Sequence, residues 1–134
     1  MGQPAAKQND QITATDIHIV MVPSPSGPVP TPLPHVFQGI LNQGLSTDVM
    51  INNLPAATIN SVATNIPPHL PTPPGTIFQI PPTNRGQITL GSTTVLINGK
   101  GAARNGDMAQ TCADPVPNMA ATVVSTTTNV LIGG

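Results

Sequence analysis

The sequence has no glutamate, no tryptophan and no tyrosine, and two phenylalanines in 134 residues. Charged side chains make up 7% of it, against about 25% in an ordinary soluble domain. Four Lys or Arg and a net charge of −1 exclude a nucleic-acid binder, which neutralises phosphates with a basic patch. The missing aromatics remove the stacking platforms that hold single strands. No apolar run approaches the ~18–20 residues of a membrane-spanning helix. The opening MGQPAAKQND lacks the apolar stretch of a secretory signal, so synthesis in the cytoplasm without export by that route is expected. A single Cys excludes an internal disulfide.

What is abundant is proline, glycine and β-branched residues. Seventeen Pro and 12 Gly stay below the share that marks low-complexity chains, and Leu, Ile, Val and Phe supply 33 residues, above the disordered range. Thr, Val and Ile together number 40, and such side chains are stiff and favour strands. The reading is one β-rich globular domain over residues 1–134. Its Thr-, Asn-, Gln-, Ser- and Pro-rich surface suits burial against a partner.

Residues 13–22 alternate as a strand, with Asp16, His18, Val20 and Val22 on one face and Ile17, Ile19 and Met21 on the other. Residues 23–35 carry proline at nearly alternate positions. Proline lacks the N–H of a sheet ladder, so an extended loop near polyproline II is expected there, centred on 23–34. Residues 40–46 are too short and glycine-interrupted for a helix. A second Pro-rich loop, 67–82, lies within residues 65–86, which hold seven prolines. Val36 and Phe37 are expected to anchor the first of these segments, and Ile77, Phe78 and Ile80 the second.

Residues 48–57, DVMINNLPAA, recur as TVLINGKGAA at 94–103, with Val49, Ile51, Asn52, Ala56 and Ala57 matched by Val95, Ile97, Asn98, Ala102 and Ala103. A shortened third copy, NVLIGG, closes the chain at 129–134. Each copy reads as a short strand entering a turn. Asn98-Gly99 is the preferred pair of a type I′ hairpin, and Asn105-Gly106 repeats the signal. Three copies suggest three similar folding units.

The possible soft metal ligands are His18, His35, His69 and Cys112, a set that would complete a tetrahedral Zn²⁺ site with no open position. Their spacings of 17, 34 and 43 residues match no zinc-finger pattern. Asp16, on the face of His18, is placed to orient that ring from outside the coordination sphere. The competing reading is three ordinary histidines and an inert buried thiol. Catalytic alternatives are weaker. Nothing around Cys112 marks a nucleophile, GKGAAR departs from the dinucleotide-binding glycine motif at its last position, and Asp107 reads as a turn residue.

GSTTVLINGKGAARNGD, residues 91–107, resembles the signature of PAAR-repeat proteins through Gly91, Ser92, Val95, Ile97, Asn98, Gly99, Lys100, Ala103, Arg104, Gly106 and Asp107. Residues 126–134 resemble the closing strand of that family, and residues 48–57 an earlier, diverged copy. The resemblance implies an all-β fold, a small pointed cone of short β-hairpins with pseudo-threefold symmetry, here with long Pro-rich loops. It implies one structural Zn²⁺ held by three His and one Cys, and His18, His35, His69 and Cys112 supply that set. It further implies a non-enzymatic tip that caps the trimeric, VgrG-like spike of a contractile injection system through its broad base. Such a tip would be sharpened for puncture of a target membrane, would contact that membrane transiently, and would link effector cargo, with delivery outside the cell or into a target. No fused effector domain is expected after residue 134. The alternatives are a small zinc-dependent hydrolase, which needs an open coordination position, and a metal-independent adhesion or fibre module.

Overall fold

The computed structural model describes residues 2–125 and 129–134, and these form an all-β protein with no helix among them. The strands are β1 (Gln3–Pro4), β2 (Gln11–Val22), β3 (Val29–Gln43), β4 (Met50–Ile51), β5 (Leu54–Pro55), β6 (Val62–Asn65) and β7 (Ile77–Phe78). They continue as β8 (Arg85–Ile88), β9 (Leu96–Ile97), β10 (Lys100–Gly101), β11 (Met108–Thr111), β12 (Asn118–Val124) and β13 (Leu131–Ile132). Antiparallel pairing runs β12–β11–β8–β6–β3–β2, and β12 also pairs with β2. The six strands therefore close on themselves, which removes the exposed edges an open sheet would leave. Ile12, Phe37, Leu41, Ala63, Ile88, Ala109, Ala121 and Val123 fill the inside. Phe37 fits because Gly39 and Gly86 flank it: a Cβ at Gly39 would lie 2.6 Å from its ring.

At one end the repeats meet. The N–H of Ala6 donates to Ala103 O at 2.9 Å, that of Ala103 to Ala57 O at 3.0 Å, and that of Ala57 to Ala6 O at 3.0 Å. The three bonds form a closed ring, and all three alanines are fully buried. Each alanine leads into the same four-residue turn: 7–10, 58–61 and 104–107 each close with an N–H to C=O bond of 3.0–3.1 Å. Asn9, Asn60 and Gly106 supply the positive φ at the third position. Asp10 Oδ2, Ser61 Oγ and Asp107 Oδ2 then accept from the first N–H of their own turns at 3.0, 2.9 and 2.8 Å. Asp107 is thus the turn residue expected, and Arg104 adds an ion pair to it at 2.8 Å. The Asn105-Gly106 turn is of this kind rather than a second I′ hairpin, because only Gly106 takes a positive φ.

Beneath the ring, β4–β5 and β9–β10 are two-residue hairpins, with Asn52-Asn53 and Asn98-Gly99 all at positive φ. The third unit is assembled from distant segments, since β13 pairs with β1. Residues 126–128 of the closing repeat lie outside the described residues. Ile51, Ile97 and Ile132 are buried with Ala5, Ala56 and Ala102 in a second small core.

At the other end the Pro-rich segment departs from expectation. Residues 23–28 form the loop, whereas Val29–Pro34 continue β3 and pair with β2. Pro30, Pro32 and Pro34 face Met21, Ile19 and Ile17. Those three residues turn their carbonyls the opposite way, to the N–H groups of Thr76, Gln79 and Asp114 at 3.0, 2.9 and 2.8 Å. Alternate spacing thus places every missing N–H on the outer edge of β3, where no ladder bond is lost. The expected anchors divide as well: Phe37 is buried and Phe78 half-buried, while Val36, Ile77 and Ile80 are exposed.

Candidate metal centre

The distal end of the closed sheet is filled by polar side chains instead of aliphatic ones. Asp16 and His18 point inward from alternate positions of β2, and Cys112 follows β11. His69 arrives from the Pro-rich segment between β6 and β7. One ligand atom from each of Asp16, His18, His69 and Cys112 lies within 4.8 Å of the others. Cys112 Sγ is 3.7 Å from His18 Nε2 and 3.7 Å from Asp16 Oδ2. His69 Nε2 stands 3.5 Å from Asp16 Oδ2.

The surroundings hold these donors in place. His18 Nδ1 lies 3.0 Å from Asp114 Oδ2, which turns Nε2 toward Cys112. Asp16 Oδ1 accepts from Thr111 Oγ1 at 2.5 Å and Asn118 Nδ2 at 3.2 Å, leaving Oδ2 to the cluster. The backbone N–H of His69 donates to Asn84 Oδ1 at 2.8 Å. Asn84, at φ 58°, also receives the backbone N–H of Asn65.

His18, His69 and Cys112 are therefore brought together as the sequence suggests. His35 is adjacent, its ring centre 5.4 Å from that of His18 and 5.6 Å from that of His69, yet outside the group of mutually close donors. Its Nδ1 lies 2.9 Å from Leu33 O, and Nε2 accepts the N–H of Thr72 at 3.2 Å. Asp16 stands within the cluster rather than behind His18, and Asp114 takes the orienting position instead. The cause is register: Asp16 lies opposite His35 across β2 and β3, which turns its carboxylate into the same interior.

Burial disfavours the charged form of each histidine here, and for His35 it lowers the pKa. For His69 the neighbouring Asp16 and Cys112 outweigh burial and raise the pKa to about 9. His18 is raised against burial by Cys112 and Asp114. Burial pushes the Cys112 thiol up, but His18 and His69 bring it down to about 7. His69 Nε2 is buried without a hydrogen-bond partner among the described residues. An unmatched imidazole nitrogen beside a thiol of lowered pKa, a second imidazole and a carboxylate fits a divalent metal of the zinc type. A bound ion would supply a cross-link between β2, the turn after β11 and the Pro-rich segment.

The fold and this donor cluster define a small β protein with a buried group of side chains able to hold a metal ion. The family model for the PAAR motif matches residues 78–134, so this part of the chain is similar to PAAR-repeat proteins. The match includes Cys112 and the 94–107 repeat, while His18, His35 and His69 precede it. No curated protein matches the chain. The PAAR motif fits a structural spike-tip protein of contractile injection systems, a class that binds metal and associates with a VgrG-type spike.

Proposed function

We propose that this chain caps the trimeric spike of a contractile injection system, with one structural Zn²⁺ stapling the distal end. The observation that carries this reading is the closed ring of Ala6, Ala57 and Ala103, which sets three similar units around one axis. In each unit a two-residue strand buries its isoleucine and turns the preceding residue outward. Met50, Leu96 and Leu131 are therefore exposed at 57, 62 and 62%. Three apolar side chains in equivalent places suit the end of a three-chain spike.

His18, His69 and Cys112 are the shared part of the metal site. His35, which the resemblance favours, and Asp16, which the geometry brings closest, compete for the fourth position. The role is mechanical, with all ligands from the protein and no turnover. Assembly follows cytoplasmic synthesis, and cargo rides on a separate chain or on the Pro-rich segments.

The test is native mass spectrometry of the chain with a trimeric spike, before and after chelation. The expected complex is one chain and one zinc per trimer. Three chains per trimer, or no complex, overturns the cap. Metal titration of Asp16→Asn and His35→Ala identifies the fourth ligand as the one whose loss weakens binding more.

A further inference from the structure

The four donors of the distal cluster are not equally shielded. Asp16, His18 and His69 are 0, 1 and 8% exposed, whereas Cys112 is only half-buried. Cys112 and His18 both line a cavity of about 490 Å³ formed by residues 80–83 together with β8 and β11. Arg85, which is exposed, and Asp114 are the charged side chains of its wall. A separate groove, bordered by Leu70, reaches the cluster from the side of His35 and His69, and both of those rings are buried.

The sulfur is thus the donor of this cluster that a small molecule reaches from solvent, and it is also the most readily oxidised. Oxidation of a cysteine follows its thiolate character and its access. The thiol does not stand alone. His69 Nε2, on a side chain 2% exposed, is aimed into the same cluster without a hydrogen-bond partner among the described residues, and His18 Nε2 lies 3.7 Å from Sγ. Cys112 is the single cysteine of the sequence, so its oxidised form has no internal thiol to condense with.

We infer that Cys112 is an oxidation site at which hydroperoxides entering this cavity release the metal. The thiolate sulfur attacks one peroxide oxygen: an S–O bond forms as the O–O bond breaks, an electron pair passes from sulfur to the peroxide, and the other oxygen leaves as hydroxide. The product is a sulfenic acid, and the thiolate is the form of cysteine that ligates metal. An external thiol reverses the step, first condensing with the sulfenic acid to a mixed disulfide and water. A second thiol then exchanges with that disulfide and restores Cys112. The inference rests on the metal-centre reading and adds to it a means of release.

The test is treatment of the zinc-loaded chain with hydrogen peroxide. A chromogenic chelator follows zinc release, and dimedone labelling with peptide mass spectrometry locates sulfenic acid at Cys112. Zinc release in step with labelling is expected, and dithiothreitol added in place of dimedone should restore zinc binding. Ile80→Trp, which narrows the cavity, should slow release and labelling about fivefold, whereas Leu70→Trp, beside the other groove, should leave both unchanged. Zinc release without labelling of Cys112, or equal slowing in the two variants, overturns the inference. The two readings fail separately: a chain that binds no zinc but labels at Cys112 removes the metal centre and keeps the oxidation site, and one that holds zinc while Cys112 resists peroxide removes only the oxidation site.

Discussion

The two ends of this molecule use opposite means of holding together. The ring end repeats one solution three times: small side chains, backbone hydrogen bonds and a turn closed by its own Asp or Ser. The distal end repeats nothing. One pair of strands there is a long proline-edged hairpin, the second is separated by residues 66–84, and the third joins through residues 112–117. Repetition satisfies backbone groups and so needs little side-chain chemistry. Divergence leaves a space that only side-chain donors fill, and a unique site arises there.

This division can be broken or sharpened experimentally. Metal removal should have the largest effect, because apparent binding energies of structural zinc are on the order of 10 kcal/mol. Hydrogen exchange after chelation, or in Cys112→Ser, should rise first in residues 66–84 and 112–117, with the alanine ring still protected. Simultaneous loss at both ends would abolish the distinction. Phe37→Ala should cost about 3–5 kcal/mol in denaturant titrations, because it empties the core on which the distal cluster rests.

The pH response should also separate the metal-free from the loaded state. With His69 raised to about 9, its stabilisation is complete below 6.5 and is lost as pH rises through about 9. With Cys112 lowered to about 7 from 9.0, its stabilisation is present above 9.0 and lost as pH falls through about 7. The two trends oppose each other, so the melting temperature of the chelated protein should change less between about 7 and 9 than either group alone would cause, with the raised His18 adding to the His69 trend. Metal affinity, which requires deprotonated ligands, should instead tighten about tenfold per pH unit over that interval, as competition titrations would show.

Smaller effects test the ring. Ala6→Val, Ala57→Val and Ala103→Val should each destabilise by about 1–3 kcal/mol and agree with one another, as chemical denaturation would reveal. A wide spread would mean that the three units are equivalent in hydrogen bonding only. Smallest of all, Gly99→Ala, at φ 77°, should cost about 1 kcal/mol in thermal melts. Asn53→Gly should stay within about 0.5 kcal/mol.

Much of the ring was legible because it rests on local chemistry: Asn98-Gly99 specified its hairpin and Asp107 its turn. The third unit was only half visible, through 129–134. Its other half, QPAAKQND at 3–10, aligns with LPAATINS at 54–61 and KGAARNGD at 100–107, so the signal was present in the opening residues. At the distal end, residue type named His18, His35, His69 and Cys112 as candidate ligands, and three of these stand together with Asp16. The positions of Asp16, Asp114 and Asn84 depend on strand register and long-range contacts, which composition and spacing do not encode. The prolines of β3 misled for a related reason. Proline forbids a ladder bond on one side of a strand, and only the pairing reveals that this side was already an edge.

The union of β1 with β13 has a kinetic consequence. Gln3 pairs with Ile132, so the third repeat unit depends on segments far apart in the sequence. Closing so long a loop adds little to the equilibrium cost, which grows only logarithmically with length. Its effect falls on the folding rate, which declines as contacts become more distant in sequence. The hairpins at 48–57 and 94–103 close short loops, whereas the pairing of β1 with β13 must close nearly the whole sequence. Until it closes, the ring bonds that Ala6 makes with Ala57 and Ala103 have no clamp on the β1 side.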